Sequence, residues 1–170
     1  MKKISQIFSS LTAVLIALCA FTACSSDDDA PEDKPKGNEI TIAVNYEPSE
    51  DLLLVSDITF TYSDGVNPSV SIPVTGKLEK TFKITKFPCT ATYSIGLTPK
   101  SNFEKKESYN LVSSGTVNIT NNGKPVKTQI LGLRSLGVND IEGLIQKDHL
   151  KHYGGNGTWK FDNNAELELN

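Results

Sequence analysis

The sequence predicts a mainly β protein: a single antiparallel β-sandwich of about seven to nine strands, with one short helix near residues 139–152. Apolar and polar residues alternate with period two in several short segments, which is typical of strands with one face in a core and one in water. Turn-forming residues such as Asp64-Gly65 and Gly123 separate these segments. The segments recur every 8–15 residues or so, roughly the spacing of a sandwich, although a barrel also fits this pattern.

The strands follow in chain order. The clearest are residues 40–47, 57–62 and 91–98, in which apolar residues, most of them β-branched or aromatic, occupy every second position. Four weaker segments obey the same rule: 70–74, 82–84, 117–119 and 126–131. Pro73 has no N–H to donate to a neighbouring strand, so its segment is predicted to lie at a sheet edge. This arrangement of short strands resembles immunoglobulin-like and transthyretin-like sandwiches.

One helix is predicted late in the chain. Asn139, with Glu142 three residues later, fits a capping box, and the residues from Ile141 to Ile145 supply an apolar stripe. At 100° per residue, Asp148 and His152 fall on that same stripe. We therefore expect the helix either to bend near Asp148 or to carry these polar groups at its end. We expect it to end by about His152.

The last residues are predicted to form a hairpin. A three-residue loop, residues 162–164, pairs Trp159 with Leu167 and brings the apolar side chains of both strands onto one face, whereas a two-residue loop would separate them. Asn164 would then take the left-handed conformation that such loops need.

Composition narrows the classes of function. The chain has 170 residues, 38% of them hydrophobic, and a net charge of −3, so it fits one domain and does not fit a polytopic membrane protein. A nucleic-acid partner is not expected, because such proteins normally carry a basic stripe. Three cysteines are too few for a disulfide scaffold.

The first 23 residues predict an export signal. Lys2 and Lys3 precede the apolar run 11–21, which as a helix would span about 16 Å and is too short for the roughly 30 Å hydrocarbon core of a bilayer. The sequence Phe-Thr-Ala-Cys at 21–24 resembles a bacterial lipobox. That resemblance implies cleavage before Cys24 and lipid attachment to its thiol, which would make the membrane a partner.

The residues after Cys24 extend this resemblance. Asp27, Asp28 and Asp29 resemble the export signal of Bacteroidetes surface lipoproteins, which implies an outer-membrane protein that faces the cell exterior. Residues 24–37 are acidic and contain no large apolar side chain, so we expect the lipidated cysteine to be followed by a disordered linker. Residues 38–170 then form the sandwich domain.

Two histidines suggest a metal-binding alternative. His149 and His152 stand three residues apart behind Asp148, and with Asp148 or Asp162 they would make a metal or haem site. The other interpretation places them at a helix end, where cationic side chains suit the helix dipole.

No catalytic motif was found. The sequence has no nucleophile elbow, zinc-protease signature, phosphate loop or dinucleotide fingerprint, so we expect neither an enzyme nor a cofactor. Cys89 is interpreted as a small buried hydrophobe. Gly157-Thr158-Trp159 resembles the Gly-x-Trp signature of lipocalins, but in lipocalins it lies near the start of the domain, so Trp159 is interpreted as a core residue.

The connection between Pro99 and Leu111 is the best candidate for a ligand-binding loop. It carries Phe103 and Tyr109 among charged residues, and aromatic side chains on a loop can stack on sugars or anchor a protein; alternatively, both fold back onto the sandwich. The sequence thus favours a lipid-anchored, non-catalytic surface module that binds an extracellular glycan or protein. The alternative is a structural subunit of a surface assembly such as a fimbria or uptake complex.

Overall fold

The computed structural model describes residues 37–132 and 134–168, and residues 37–170 belong to one compact unit. Two antiparallel sheets make up most of it, and this confirms the predicted β-sandwich. Nine strands are present among the described residues: β1 Ile40–Pro48, β2 Ser56–Ser63, β3 Val70–Val74, β4 Leu78–Ile84, β5 Cys89–Pro99, β6 Tyr109–Asn121, β7 Lys124–Ile130, β8 Arg134–Val138 and β9 Gly155–Phe161.

The predicted signal peptide, Cys24 and the acids Asp27, Asp28 and Asp29 lie outside the described residues. In the described part of the chain, no helix has the length and apolar character needed to cross a membrane.

The first sheet has the order β4-β1-β6-β7, and β8 also pairs with β6. The sequence predicts only residues 117–119 of β6, yet the strand runs for 13 residues. Its length follows from having partners on both sides, because β1 lies along one edge while β7 and then β8 lie along the other. Backbone pairing on both sides holds the strand extended where its own alternation is weak.

The second sheet has the order β3-β2-β5-β9. β3 contains Pro73 and lies at the edge of this sheet, as predicted. The two sheets are separate and open, so the barrel alternative is wrong. The first two strands lie in different sheets, whereas strands A and B of an immunoglobulin domain share one.

The core lies between the two sheets and consists of the inward-facing residues of the strands. Ile40, Ile42 and Val44 of β1 have no exposed surface. An aromatic stack joins the sheets at one side, where Tyr62 of the second sheet lies 4.7 Å from Phe82 of the first, measured between ring centroids.

A short helix that the sequence analysis missed, α1 (Glu50–Val55), carries the chain from β1 to β2. The Ser49 side chain caps it by accepting a hydrogen bond from the N–H of Leu52, 3.2 Å away. Leu52 and Val55 are fully buried. A serine followed by two acids in the first turn was the signal for this helix.

The late helix begins one residue after the predicted position. α2 is Ile141–Gln146, and its cap is Asp140 rather than Asn139, because the Asp140 carboxylate accepts a hydrogen bond from the N–H of Gly143 at 2.9 Å. The predicted capping box is therefore wrong, and the Glu142 side chain bonds elsewhere.

The helix also breaks at Asp148, one of the two predicted outcomes. Asp148 has a left-handed φ of 56°, and a separate 3₁₀ helix, His149–Tyr153, follows it. The break changes which side chains face the core: Leu150 and Tyr153 are buried, although an unbroken helix would place Leu150 opposite the apolar stripe.

The C-terminal loop has the predicted length but lies one residue later, at 163–165. Ala165, not Asn164, takes the left-handed conformation, with a φ of 61°. The Asp162 N–H donates to Glu166 O, which closes the loop. The carboxylate of Asp162 also accepts hydrogen bonds from the N–H groups of Asn164 and Glu166, both at 2.8 Å, so the turn begins at Asp162.

This displacement moves the strand register by two residues. Phe161, rather than Trp159, lies opposite Leu167, so the predicted pairing of Trp159 with Leu167 is wrong. A two-residue shift keeps every side chain on its own face, and Leu167 still packs against the core.

Candidate functional site

A cleft at one end of the sandwich is the candidate ligand site. It has a volume of about 490 Å³ and lies between the segment after β5 and helix α2. Its walls contain two apolar side chains among polar ones: Lys100, Ser101, Asn102, Phe103, Lys105, Glu142, Ile145 and Gln146. The volume falls within the range of about 300–1,000 Å³ common for ligand pockets.

Lys100 ties one wall of the cleft to the rest of the domain. Its backbone N–H donates to Val55 O at 2.9 Å, and its side-chain Nζ donates to Leu53 O at 2.7 Å. The ammonium group also lies 3.8 Å from a carboxylate oxygen of Asp57. The loop therefore leaves β5 from a point fixed on α1, and the Lys100 stem is available to line the cleft.

Phe103 and Tyr109, the two aromatics predicted to bind ligand, have different surroundings. Phe103 is half-buried and lines the cleft. Tyr109 is the first residue of β6 and is 2% exposed, so a ligand in the cleft does not reach its ring. Its hydroxyl accepts from the Lys106 N–H at 3.0 Å and donates to Glu104 O at 3.3 Å. Tyr109 thus holds the loop that carries Phe103.

An ion pair joins the two walls. Lys105 Nζ donates to Glu142 Oε1 at 2.6 Å, and this hydrogen bond raises the pKa of Lys105 above its ordinary value. Both side chains are more than half exposed, so water screens the pair and each partner remains accessible to a ligand.

Helix α2 presents three side chains to the cleft from one face. Glu142, Ile145 and Gln146 stand at positions i, i+3 and i+4, which lie together on a helix surface. Ile141 is buried and anchors the helix to the core. The Asp140 cap sets where the helix begins, and the beginning decides which residues turn toward the cleft.

The residues proposed for metal binding do not assemble a site. Among the described residues, no group of three or more histidine, cysteine or acidic side chains lies close enough to hold a metal ion. The rings of His149 and His152 lie 5.8 Å apart, nearly perpendicular. Lys151 donates to Asp148 at 2.8 Å and thereby lowers the pKa of its carboxylate, while the Asp162 carboxylate is used in its own turn.

Two other residues singled out in the sequence pack against or within the core. Cys89 is half-buried against it, and burial raises the pKa of its thiol, with the negative charge of Asp64 as the second cause. Trp159 is 4% exposed and stacks on Tyr93, with ring centroids 5.1 Å apart.

Sequence reasoning found one of the two walls of the cleft. It singled out the loop through Phe103, but treated Glu142 as a capping residue and Ile145 as core. The polar α2 residues Glu142 and Gln146 flank Ile145 on one helix face, and this was the available signal. Nothing in the pattern places that face beside residues some forty positions earlier.

The chain matches no protein-family model, no curated protein and no solved structure.

Proposed function

We propose that this protein is a lipid-anchored cell-surface module that binds an extracellular glycan without catalysing a reaction on it. The observation that carries the proposal is the cleft between residues 100–105 and α2, where one aromatic ring stands among hydrogen-bonding side chains.

The composition of the cleft suits a sugar better than an apolar ligand. Sugars present C–H groups to aromatic rings and hydroxyls to polar groups, and Phe103 supplies a ring held in place by its neighbour. Asn102 and Gln146 supply amides that both donate and accept, while Lys105 and Glu142 supply a donor and an acceptor. These groups match the alternating donors and acceptors of a polyhydroxylated ring.

The glycan can be identified by screening the purified protein against immobilised oligosaccharides and measuring binding to each hit by calorimetry. Phe103→Ala should weaken binding about tenfold or more, because stacking on one ring contributes roughly 0.5–1.5 kcal/mol and the cleft wall is also lost. Phe103→Leu keeps an apolar side chain of similar reach but no ring. If the leucine variant binds as well as the wild type, Phe103 contributes only packing, and the proposed stacking of a sugar on its ring is wrong.

A second control separates the cleft from the rest of the surface. Gln146→Ala removes an amide from the cleft wall, whereas Gln129→Ala removes one from β7, outside the cleft lining. Binding should fall only in the first variant. If both variants lose affinity equally, or if neither loses affinity, the ligand binds outside the cleft.

The surface location rests on the sequence at 1–29 and has its own test. Protease added to intact cells should degrade the protein, and changing Asp27, Asp28 and Asp29 to Ala should protect it. Cys24→Ala should release the protein from the membrane fraction. Resistance of the unmodified protein in intact cells, combined with degradation in lysed cells, would contradict the surface assignment.

A further inference from the structure

The free edge of the first sheet is formed by two strands in succession. β7 pairs with residues 116–121 of β6, and β8 pairs with residues 109–113 of the same strand. Among the described residues, no strand pairs with the other side of β7 or β8. The edge is therefore long, since it follows almost the whole of the 13-residue strand β6.

The backbone groups that point outward from this edge can be assigned. The Leu131 N–H donates to Gly115 O of β6 at 2.9 Å. Backbone N–H groups alternate in direction along a strand, so those of Ile130 and Thr128 point away from β6. An added strand would meet these donors in register.

The other sheet edges are protected and this one is only half protected. β3 is short and contains Pro73, β4 carries several charges, and β9 is met by the returning segment through Leu167 and the Glu168 N–H. Lysines, prolines and bulges are the usual means of blocking an edge. In β7 they are confined to residues 124–127, and residues 128–132 contain no charge and no proline.

The edge carries exposed apolar side chains on the outer face of the sheet. Ile130 is 75% exposed and Val126 is 41% exposed, and Ile130 lies on the outer face because its partner Thr116 precedes the buried Val117. Ile130 also borders a shallow hollow of about 290 Å³, but most of its other lining residues belong to β1 and β6, so the hollow lies away from the free side of β7. An added strand is therefore held by the edge backbone, which is the main source of affinity in this mode of binding.

The charge of the edge indicates what kind of strand would bind. Residues 124–138 contain Lys124, Lys127 and Arg134 and no acid, whereas residues 38–170 as a whole have 13 basic and 15 acidic residues. Lys127 and Arg134 are exposed on either side of the apolar run. A basic edge in an acidic domain favours an acidic partner and disfavours a second copy of itself, which would oppose lysine to lysine.

We propose that the β7–β8 edge binds an extended segment of a partner protein, in which acidic residues alternate with apolar ones, as an additional strand of the first sheet. The backbone of Thr128 and Ile130 pairs with the segment. Its apolar residues lie beside Val126 and Ile130 on the outer face of the sheet, and its acids lie beside Lys127 and Arg134 on the opposite face. This surface is independent of the glycan cleft, so either proposal can fail without the other.

The test uses the full chain in detergent solution and a fluorescent seven-residue peptide of alternating valine and glutamate, the length of β7. Fluorescence anisotropy should detect binding of this peptide and not of its valine–lysine counterpart. Thr128→Pro removes an outward N–H and should weaken binding about tenfold or more. Thr128→Val is the matched control, because it loses the same hydroxyl yet keeps the N–H, and it should bind like the wild type.

A second pair of variants tests the same edge without a proline, in case Thr128→Pro prevents folding. Lys127→Glu with Arg134→Glu should weaken binding about tenfold, while Lys86→Glu with Lys147→Glu changes the net charge equally at other exposed positions and should leave binding unchanged. Peptide affinity that survives both the Thr128→Pro change and the edge charge reversal would overturn the proposal. So would dimerisation of the peptide-free protein, seen by sedimentation velocity and abolished by Thr128→Pro, because the edge would then serve a second copy.

Discussion

Phe103 lies edge-on to Tyr109, with ring centroids 6.1 Å apart and ring planes at 81°. Phe103 lines the cleft, whereas Tyr109 is buried at the start of β6. The hydroxyl of Tyr109 holds the backbone of the loop between them at two points. The position of the ring that lines the cleft is therefore set by a residue that does not line it.

Tyr109→Phe should loosen this loop while leaving the core filled. The variant loses the hydroxyl that accepts from the Lys106 N–H and donates to Glu104 O, so the free energy of unfolding should fall by about 1 kcal/mol. Urea unfolding followed by the fluorescence of Trp159, the only tryptophan, measures it. Tyr62→Phe is the control, since the Tyr62 hydroxyl makes no hydrogen bond to a described residue, and equal losses in both variants would contradict this role of Tyr109.

Asp140→Ala should destabilise helix α2. Its carboxylate caps the helix through the Gly143 N–H, and loss of such a cap costs about 1 kcal/mol. Asn139→Ala, at the neighbouring position that the sequence favours, should change the unfolding free energy by less than about 0.5 kcal/mol. Chemical denaturation of both variants decides between the two caps. A larger loss of stability in Asn139→Ala would show that Asn139 is the cap.

Gly154→Ala should destabilise the protein through a clash. A Cβ at this position would overlap the backbone carbonyl oxygen of Ile95, which cannot move without disturbing β5. Overpacking of this kind costs about 1–3 kcal/mol. Gly96→Ala is the matched control, because a Cβ there meets no atom within 4 Å. Alanine loses less conformational entropy than glycine when a strand folds, so this variant should gain about 0.5 kcal/mol in its free energy of unfolding. Thermal unfolding that ranks the two variants in the opposite order would contradict the close approach.

Asp51 should contribute to the loss of stability in acid. The hydrogen bond from Lys106, together with that from the Asn110 N–H, holds the pKa of the Asp51 carboxyl below its ordinary value. A depressed folded-state pKa adds stability above the unfolded-state pKa, and this stability is lost as the pH falls through the folded-state value.

Asp51→Asn should therefore flatten the acid side of the stability curve between about pH 5 and pH 2. Urea midpoints measured across this range give the curve, with the neighbouring Glu50→Gln as the control. An unchanged slope in Asp51→Asn, or an equal change in Glu50→Gln, would show that the Asp51 contacts do not persist in solution.

The alternating segments were predictable because period-two burial is a local property. In β1 the residues Ile40, Ile42 and Val44 face the core and their neighbours do not, and this follows from strand geometry alone. The position of β3 at a sheet edge was predictable for an equally local reason, since Pro73 lacks a donor.

Other elements form because of their neighbours. β8 has little alternation of its own, and four of its five residues are exposed; it is a strand because β6 offers an unpaired edge to it. The start of the late hairpin turn depends on which N–H groups the Asp162 carboxylate reaches. Small energies of this kind move a loop by one residue without changing which face is apolar.

The sequence by itself determined the strand-rich fold, the apolar faces and the aromatic loop that carries Phe103. Only the tertiary structure decided that this loop faces α2 across a cleft, that Tyr109 supports it from the core, and that β7–β8 is left as the open edge. The physical reason is the distance along the chain over which each interaction acts. Alternation and caps act within a few residues, whereas the two walls of the cleft and the two sides of β6 are joined by packing and backbone pairing between segments far apart in the chain.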